Sequence, residues 1–247
     1  MRRVDILGVH VHAQRFDQAI ATLIGWALER RGRYVCTCPV YTVMLAAERD
    51  DVRQAINDAD MATADGVPVV WVQKWWGAKD AERVYGPDIL LALCEQARDR
   101  GVRHFFVGGG AGVAEQLAAT VQARFPGVEI AGVIAPQVDD TAIDQALVDT
   151  INRTQPHVVW VGLGSPKQDL WMAAHKSHIP ALMIGVGAAF DFLSGAKRQA
   201  PRWMRRRGLE WLFRLIQEPG RLWKRYLVYN PRFVRAVIRQ SRRSARS

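Results

Sequence analysis

The sequence predicts an α/β fold: a mostly parallel sheet with helices on both faces, followed by a basic helical appendage. Three observations carry this. Short strand-like runs alternate with segments of helical spacing from residue 4 to residue 187. The turns between them are short and rich in glycine, as at Gly108-Gly109-Gly110 and Gly162-Leu163-Gly164-Ser165. Alternation of this kind implies βαβ units and a Rossmann-like parallel sheet. The third observation is a split of charge. Residues 198–247 hold 15 Lys/Arg and two acids, a net of +13, whereas the preceding residues carry a net of −3.

Taken in order, residues 4–12 read as a short strand or hairpin arm, and 16–30 have helical spacing. Residues 34–37 form a strand, 40–59 a helix and 61–64 a short strand ending at Asp65-Gly66. A helix over 88–100 precedes a buried strand at 104–107, which the three glycines stop. A helix at 112–125, a strand at 128–134 and a helix at 141–154 follow. The strand at 157–162 ends in Gly164-Ser165-Pro166, the helix at 168–177 comes next, and the strand at 181–186 ends at Gly187. Parallel sheets bind ligands at the carboxyl ends of their strands, which is where these tight turns fall. After Gly195 the character changes. Arg-rich and aromatic segments run over 202–207 and 210–216, break at Glu218-Pro219-Gly220 and resume over 221–227. Pro231 starts another basic helix over 232–239. The expected division is a core at 1–195 and a basic amphipathic appendage at 196–247. Trp, Leu and Phe on one face with Arg on the other suit a membrane interface, and equally suit a helical arm packed on the core.

The chain is 247 residues long and 49% hydrophobic, enough for a sizeable core. Three cysteines, an odd number at low density, fit a reducing compartment. Cys36-Thr37-Cys38 is open to metal binding, but alternate residues of a strand share a face, and a buried apolar face is the favoured reading. The N-terminus lacks the apolar region of a signal peptide. No apolar run reaches the roughly 18 to 20 residues that span a bilayer. The expectation is therefore a soluble or peripheral protein.

Several residues are placed for chemistry. Asp65 closes a strand, where a carboxylate can act as a general base. Asp-Gly is more often a turn that caps the next helix, and spacing alone favours that reading. Gly108, Gly109 and Gly110 follow a strand and open a helix, an arrangement that can hold phosphate. Glu129 stands at the start of a strand, which argues against a dinucleotide site. Lys167 can neutralise phosphate and Gln168 can hydrogen-bond a base or sugar; the plainer alternative is that Pro166 starts a helix with ordinary surface polars beside it. Asp50-Asp51 and Asp139-Asp140 read as solvated acids. His10/His12 and His175/His178 lack matching carboxylates or thiols and read as structural. No metal site is expected.

Taken together, these motifs resemble the WecG/TagA/CpsF family, glycosyltransferase family 26. The resemblance covers nearly the whole chain in order. It runs through Thr37, Ala64-Asp65-Gly66-Val67-Pro68, Arg83-Val84-Tyr85-Gly86-Pro87-Asp88, Val107-Gly108-Gly109 and Gly164-Ser165-Pro166-Lys167-Gln168-Asp169. It continues through Phe190-Asp191-Phe192, Arg198-Gln199-Ala200-Pro201, Gly208-Leu209-Glu210-Trp211 and Glu218-Pro219. The resemblance implies an inverting, metal-independent transferase that needs no cofactor. It would use a UDP-sugar donor and a polyprenyl-diphosphate-linked saccharide acceptor for a cell-surface polysaccharide. It also implies that Asp65 is the base and that Thr37, Arg83 and Asp191 line the substrate pocket. Gln168 and the 108–110 loop would contact nucleotide, and Arg214, Arg221 and Arg225 would close over the diphosphate. The chain would work in the cytoplasm at the anionic inner face of the membrane, with a homo-oligomer open to it. Two departures stand out. Pro39 occupies a position where many members carry Asn, and PKQE has become PKQD. The rival readings are a nucleotide-dependent oxidoreductase and a nucleic-acid-binding module built on the basic tail, the latter disfavoured by the Trp and Leu interleaved with Arg.

Overall fold

A computed structural model describes residues 2–136 and 142–244. The chain opens with a hairpin, β1 (Arg2–Ile6) and β2 (Val9–Ala13), turning through Leu7 and Gly8, both at positive φ. There follow α1 (Phe16–Glu29), β3 (Tyr34–Thr37), α2 (Val40–Glu48), α3 (Asp50–Asn57) and β4 (Met61–Thr63). Next come α4 (Val67–Trp75), α5 (Gly86–Gln96), β5 (Arg103–Gly108), α6 (Val113–Arg124) and β6 (Glu129–Ile134). Then α7 (Gln145–Arg153), β7 (Val158–Gly162), α8 (Lys167–His175), β8 (Leu182–Gly185) and α9 (Ala189–Leu193) complete the sheet and its cover. The tail adds α10 (Arg202–Arg206), α11 (Glu210–Gln217), α12 (Pro219–Trp223) and α13 (Tyr229–Ser244).

The strands form one sheet in the order β1-β2-β4-β3-β8-β7-β5-β6, and among the described residues only the β1–β2 pairing is antiparallel. The period of two in each strand sorts its side chains between two cores. Tyr34, Cys36, Phe105, Val107 and Val159 enter one, and Val35, Phe106, Val158, Trp160 and Ile184 the other. Cys36 and Cys38 are both fully buried in the first core, where burial pushes their thiols well up and keeps them neutral. This fits the apolar reading of the pair. Because β4, β3, β8 and β7 are adjacent and parallel, four strand ends open on one edge of the sheet.

Three local features differ from expectation. The helix expected over 40–59 is two helices, because Arg49 is extended (φ −131°, ψ 117°). Asp50 and Asp51 fill the first turn of α3, where the helix dipole favours acids, and pair with Arg53 and Arg49. Asp139-Asp140 lie outside the described residues. The second feature, α4, has no clear sequence period because Val-Pro-Val-Val-Trp-Val is almost wholly apolar. Pro68 in its first turn is the one local signal. Third, Pro231 does not begin a helix. It lies in the first turn of α13, which continues from α12 through a π-helical stretch at Lys224–Val228. Proline lacks an N–H and its ring crowds the carbonyl four residues back; the wider turn accommodates both.

The tail is held to the core by buried Leu222, Phe233 and Val237. Tyr229 packs edge-on against Tyr41, with ring centroids 5.2 Å apart. Arg232 forms an ion pair with Glu48, and the Leu7 N–H donates to Gln240 Oε1 at 2.9 Å. The outward side of the tail keeps Trp203, Ile216, Trp223, Leu227 and Val234 exposed. The structure thus divides the apolar side chains of the tail between the core and the surface.

Candidate active site

A cavity of about 280 Å³ opens at the ends of the four central strands. Thr37 ends β3 and Pro39 follows it, Asp65 and Gly66 follow β4, Gly162 ends β7 with Leu163 to Ser165 beyond it, and Val186 to Asp191 follow β8. The opposite wall comes from the tail, with Glu210, Arg214, Arg221 and Arg225.

Asp65 caps a helix, but not the next one. Its Oδ1 accepts the N–H of Gly86, the first residue of α5, at 2.9 Å, while its backbone carbonyl accepts from Arg83 Nε. Burial pushes its carboxyl above the usual carboxylate range, against the opposing pull of the Arg83 guanidinium and the Gly86 N–H. A carboxylate with a raised pKa on a strand-end loop is suited to accept a proton. Arg83 stacks over the Tyr85 ring at 3.8 Å and pairs with Glu210 at 2.8 Å. The Tyr85 hydroxyl donates to the other Glu210 oxygen at 2.8 Å and accepts from Gln199 at 3.2 Å. Spacing and motif do not by themselves mark Glu210 and Tyr85 as site residues. The signal that marks Glu210 is that it is one of two acids in a strongly basic tail.

Thr37 donates its hydroxyl to the Gly185 carbonyl at 2.8 Å, tying β3 to β8 at the cavity floor. Gln168 is buried in the first turn of α8, and its Oε1 has no hydrogen-bond partner. Gly185 makes room for it, since a Cβ there would lie 2.9 Å from Gln168 Nε2. Behind the wall, Asp169 is fully buried and accepts from the Ser165 hydroxyl at 2.7 Å. Burial raises its pKa to about 6, opposed by its bonds to Ser165 and Cys36.

On the tail side, Arg214 lies over Phe192 and Arg225 over Tyr41, at 5.2 and 4.5 Å. Burial lowers the pKa of Arg225, and its Nε has no partner. Arg221 pairs with Glu218 at 2.7 Å. Lys197 bridges Asp191 at 2.8 Å and Glu218 at 3.3 Å, linking the β8 end to α12. The cavity therefore combines one basic carboxylate with several guanidinium groups, an arrangement fitted to a polyanionic ligand and a proton transfer.

A family model described as "Glycosyl transferase WecG/TagA/CpsF family" matches residues 4–247. The chain belongs to this family. It is 32% identical over 219 residues to an N-acetylglucosaminyldiphosphoundecaprenol N-acetyl-beta-D-mannosaminyltransferase of Bacillus spizizenii, covering 88% of this chain and 83% of that protein. A protein of the same name from Bacillus subtilis is 30% identical over 202 residues, covering 81% of this chain and 77% of that one.

The WecG/TagA/CpsF motifs quoted above converge on the cavity from widely separated parts of the chain. Asp65, Thr37, Arg83, Gln168, Asp191, Arg214, Arg221 and Arg225 all line it. Gly108, Gly109, Gly110 and Lys167 do not. A Cβ on Gly108 would lie 2.8 Å from the Gly162 carbonyl carbon, and the Gly109 N–H donates to the Gly162 carbonyl at 3.2 Å. Gly108 and Gly109 thus let the β5 end pack closely against β7. The Gly109 amide is committed to Gly162, and Glu129 stands at the start of β6, as the sequence placed it. Lys167 is half-buried at the first position of α8. Among the described residues no group of three or more His, Cys, Asp or Glu is arranged to hold a metal ion.

Proposed function

We propose that this glycosyltransferase moves a sugar from a UDP-sugar to a saccharide carried on a polyprenyl diphosphate, with inversion at the anomeric carbon. The observation that carries the reading is the pairing, in one cavity, of the Asp65 carboxylate with Arg83, Arg214, Arg221 and Arg225. The names of the two relatives support a lipid-diphosphate acceptor.

In this reading Asp65 takes the proton of the acceptor hydroxyl as its oxygen attacks the anomeric carbon. The bond from that carbon to the diphosphate oxygen breaks, and its electron pair leaves with UDP. The guanidinium groups neutralise the charge that develops on the diphosphate, so the mechanism calls on no metal ion. Gln168, with its unsatisfied Oε1, is a hydrogen-bond acceptor for a substrate hydroxyl or amide. Pro39, on the cavity wall, has no side-chain donor or acceptor, so no amide at that position selects the sugar. The Arg-rich tail with its outward Trp, Ile and Leu supports peripheral work at an anionic membrane surface. Among the described residues no helix is long and apolar enough to cross a membrane.

The test is UDP release from a panel of UDP-sugars presented with short-chain prenyl-diphosphate-linked mono- and disaccharides, followed by NMR of the product linkage. At least one pair should turn over, in the presence of EDTA, to an inverted glycoside. No acceptor-dependent UDP release from any pair, or a retained configuration, refutes the reading.

A further inference from the structure

The outward face of α4 carries an apolar stripe. Val67, Trp71 and Trp75 are spaced i, i+4, i+8 and lie on one side of the helix. Val67 lines the cavity, whereas Trp71 and Trp75 are each 58% exposed. The opposite side of α4 is spent on the core through Val69, Val70, Val72 and Gln73. The stripe therefore starts at the cavity and runs outward for about 12 Å at the helical rise.

A second tryptophan comes to it from a distant part of the chain. Gly208 packs on the start of the stripe: a Cβ there would lie 3.3 Å from Val67 and 3.5 Å from the Trp71 ring. The preceding α10 holds Trp203 56% exposed, with Arg202, Arg206 and Arg207 exposed around it. Arg205 turns instead to Asp88, at 3.6 Å. Lys74 adds a further cation on α4, and neither residues 67–79 nor 199–209 contain an acid. Exposed tryptophans with cations beside them, on segments that contain no acid, match the boundary between the acyl chains and anionic headgroups of a membrane.

We infer that Trp71 and Trp75 of the core, together with Trp203, form an anionic-lipid docking face that seats the cavity mouth at the membrane surface. This rests on the peripheral-membrane reading above, but adds a contact made by the catalytic core itself. Its consequence is orientation. With Val67 at the cavity and Trp75 two turns further out, the stripe sets the mouth beside the headgroups, where a lipid-diphosphate acceptor is presented.

The test uses the full chain sedimented with phosphatidylglycerol/phosphatidylcholine vesicles and with phosphatidylcholine alone. W71S/W75S should lower partitioning to the anionic vesicles about tenfold while leaving turnover of a short-chain soluble acceptor unchanged. L212S/I216S serves as a tail comparison. If the wild type binds no vesicle, the peripheral-membrane reading fails and this inference fails with it. If the wild type and W71S/W75S bind equally while L212S/I216S loses binding, only the inference fails. A W71C variant, labelled with an environment-sensitive fluorophore, gives a readout independent of affinity, because Cys36, Cys38 and Cys94 are buried. Its emission should shift to the blue with anionic vesicles, and the same label at Q116C on α6 should not. No shift at residue 71, or a shift that appears without vesicles as the protein dimerises, overturns the proposal.

Discussion

Arg83 and Glu210 lie 127 residues apart in sequence and close into an ion pair at 2.8 Å that joins the core to the tail. The same Arg83 holds the backbone carbonyl of Asp65, and the same Glu210 accepts from Tyr85. Glu210→Ala leaves the guanidinium without its carboxylate, in a place where both partners are mostly covered. Stability should fall by about 1–3 kcal/mol and turnover by tenfold or more, with E210Q in between. A double-mutant cycle with R83A, read by chemical denaturation, should give a coupling of at least about 0.5 kcal/mol. Additive effects would show that the pair does not join the two parts.

Asp65→Asn preserves shape and removes the proton acceptor. Turnover should drop at least about 100-fold. Burial already disfavours the charged form, so the melting temperature should hold or rise. In the proposed mechanism Asp65 must be ionised to accept the proton. The rate should therefore fall as the pH drops through a pKa above the usual carboxylate range, and this limb should vanish in the residual activity of D65N.

Arg225 makes its contact with Tyr41 through a planar, partly desolvated guanidinium. Lysine keeps the charge but not the plane or the fork of donors. Calorimetric affinity for UDP should weaken about tenfold or more in R225K and further in R225A. Equal affinity across the three proteins would remove Arg225 from the diphosphate site.

Asp169 offers a test in stability alone. Its pKa is raised from 3.8 to about 6 by burial, so the folded state favours the neutral acid. The resulting stabilisation is complete below about pH 4 and is lost as the pH rises through about 6, a change on the order of 3 kcal/mol. D169N keeps an acceptor for Ser165 and has no proton to lose. Its denaturation midpoint should vary less between pH 4 and pH 7 than that of the wild type.

The fold was legible because alternation and glycine turns are local signals, and they place most strands within a residue or two. α4 escaped because a nearly continuous apolar run has no period, and the π-helical passage before Pro231 because bridging a proline depends on packing, not on propensity. The site was legible only in part. By spacing alone Asp65 reads as a helix cap. It is one, but of a helix 21 residues further on, a relation that no local pattern contains. Gly108 and Gly109 look the same in sequence whether they cradle phosphate or let two backbones touch. The approach of Gly162, which shows that two backbones do touch there, is a tertiary fact. Glu210 and Tyr85 lay inside the family motifs, but their partnership with Arg83 spans the length of the core.

Gln240, near the end of α13, reaches back to Asp5 and Leu7 in the first hairpin. Phe233 and Val237 of the same helix complete the core beneath it. During synthesis, then, the first hairpin gains this clasp only from a helix made almost last, and the wall of the cleft is made after the sheet it covers. A nascent chain that has not reached Gln240 holds its hairpin without this clasp, and one that has not reached Arg214 holds Asp65 without the tail arginines.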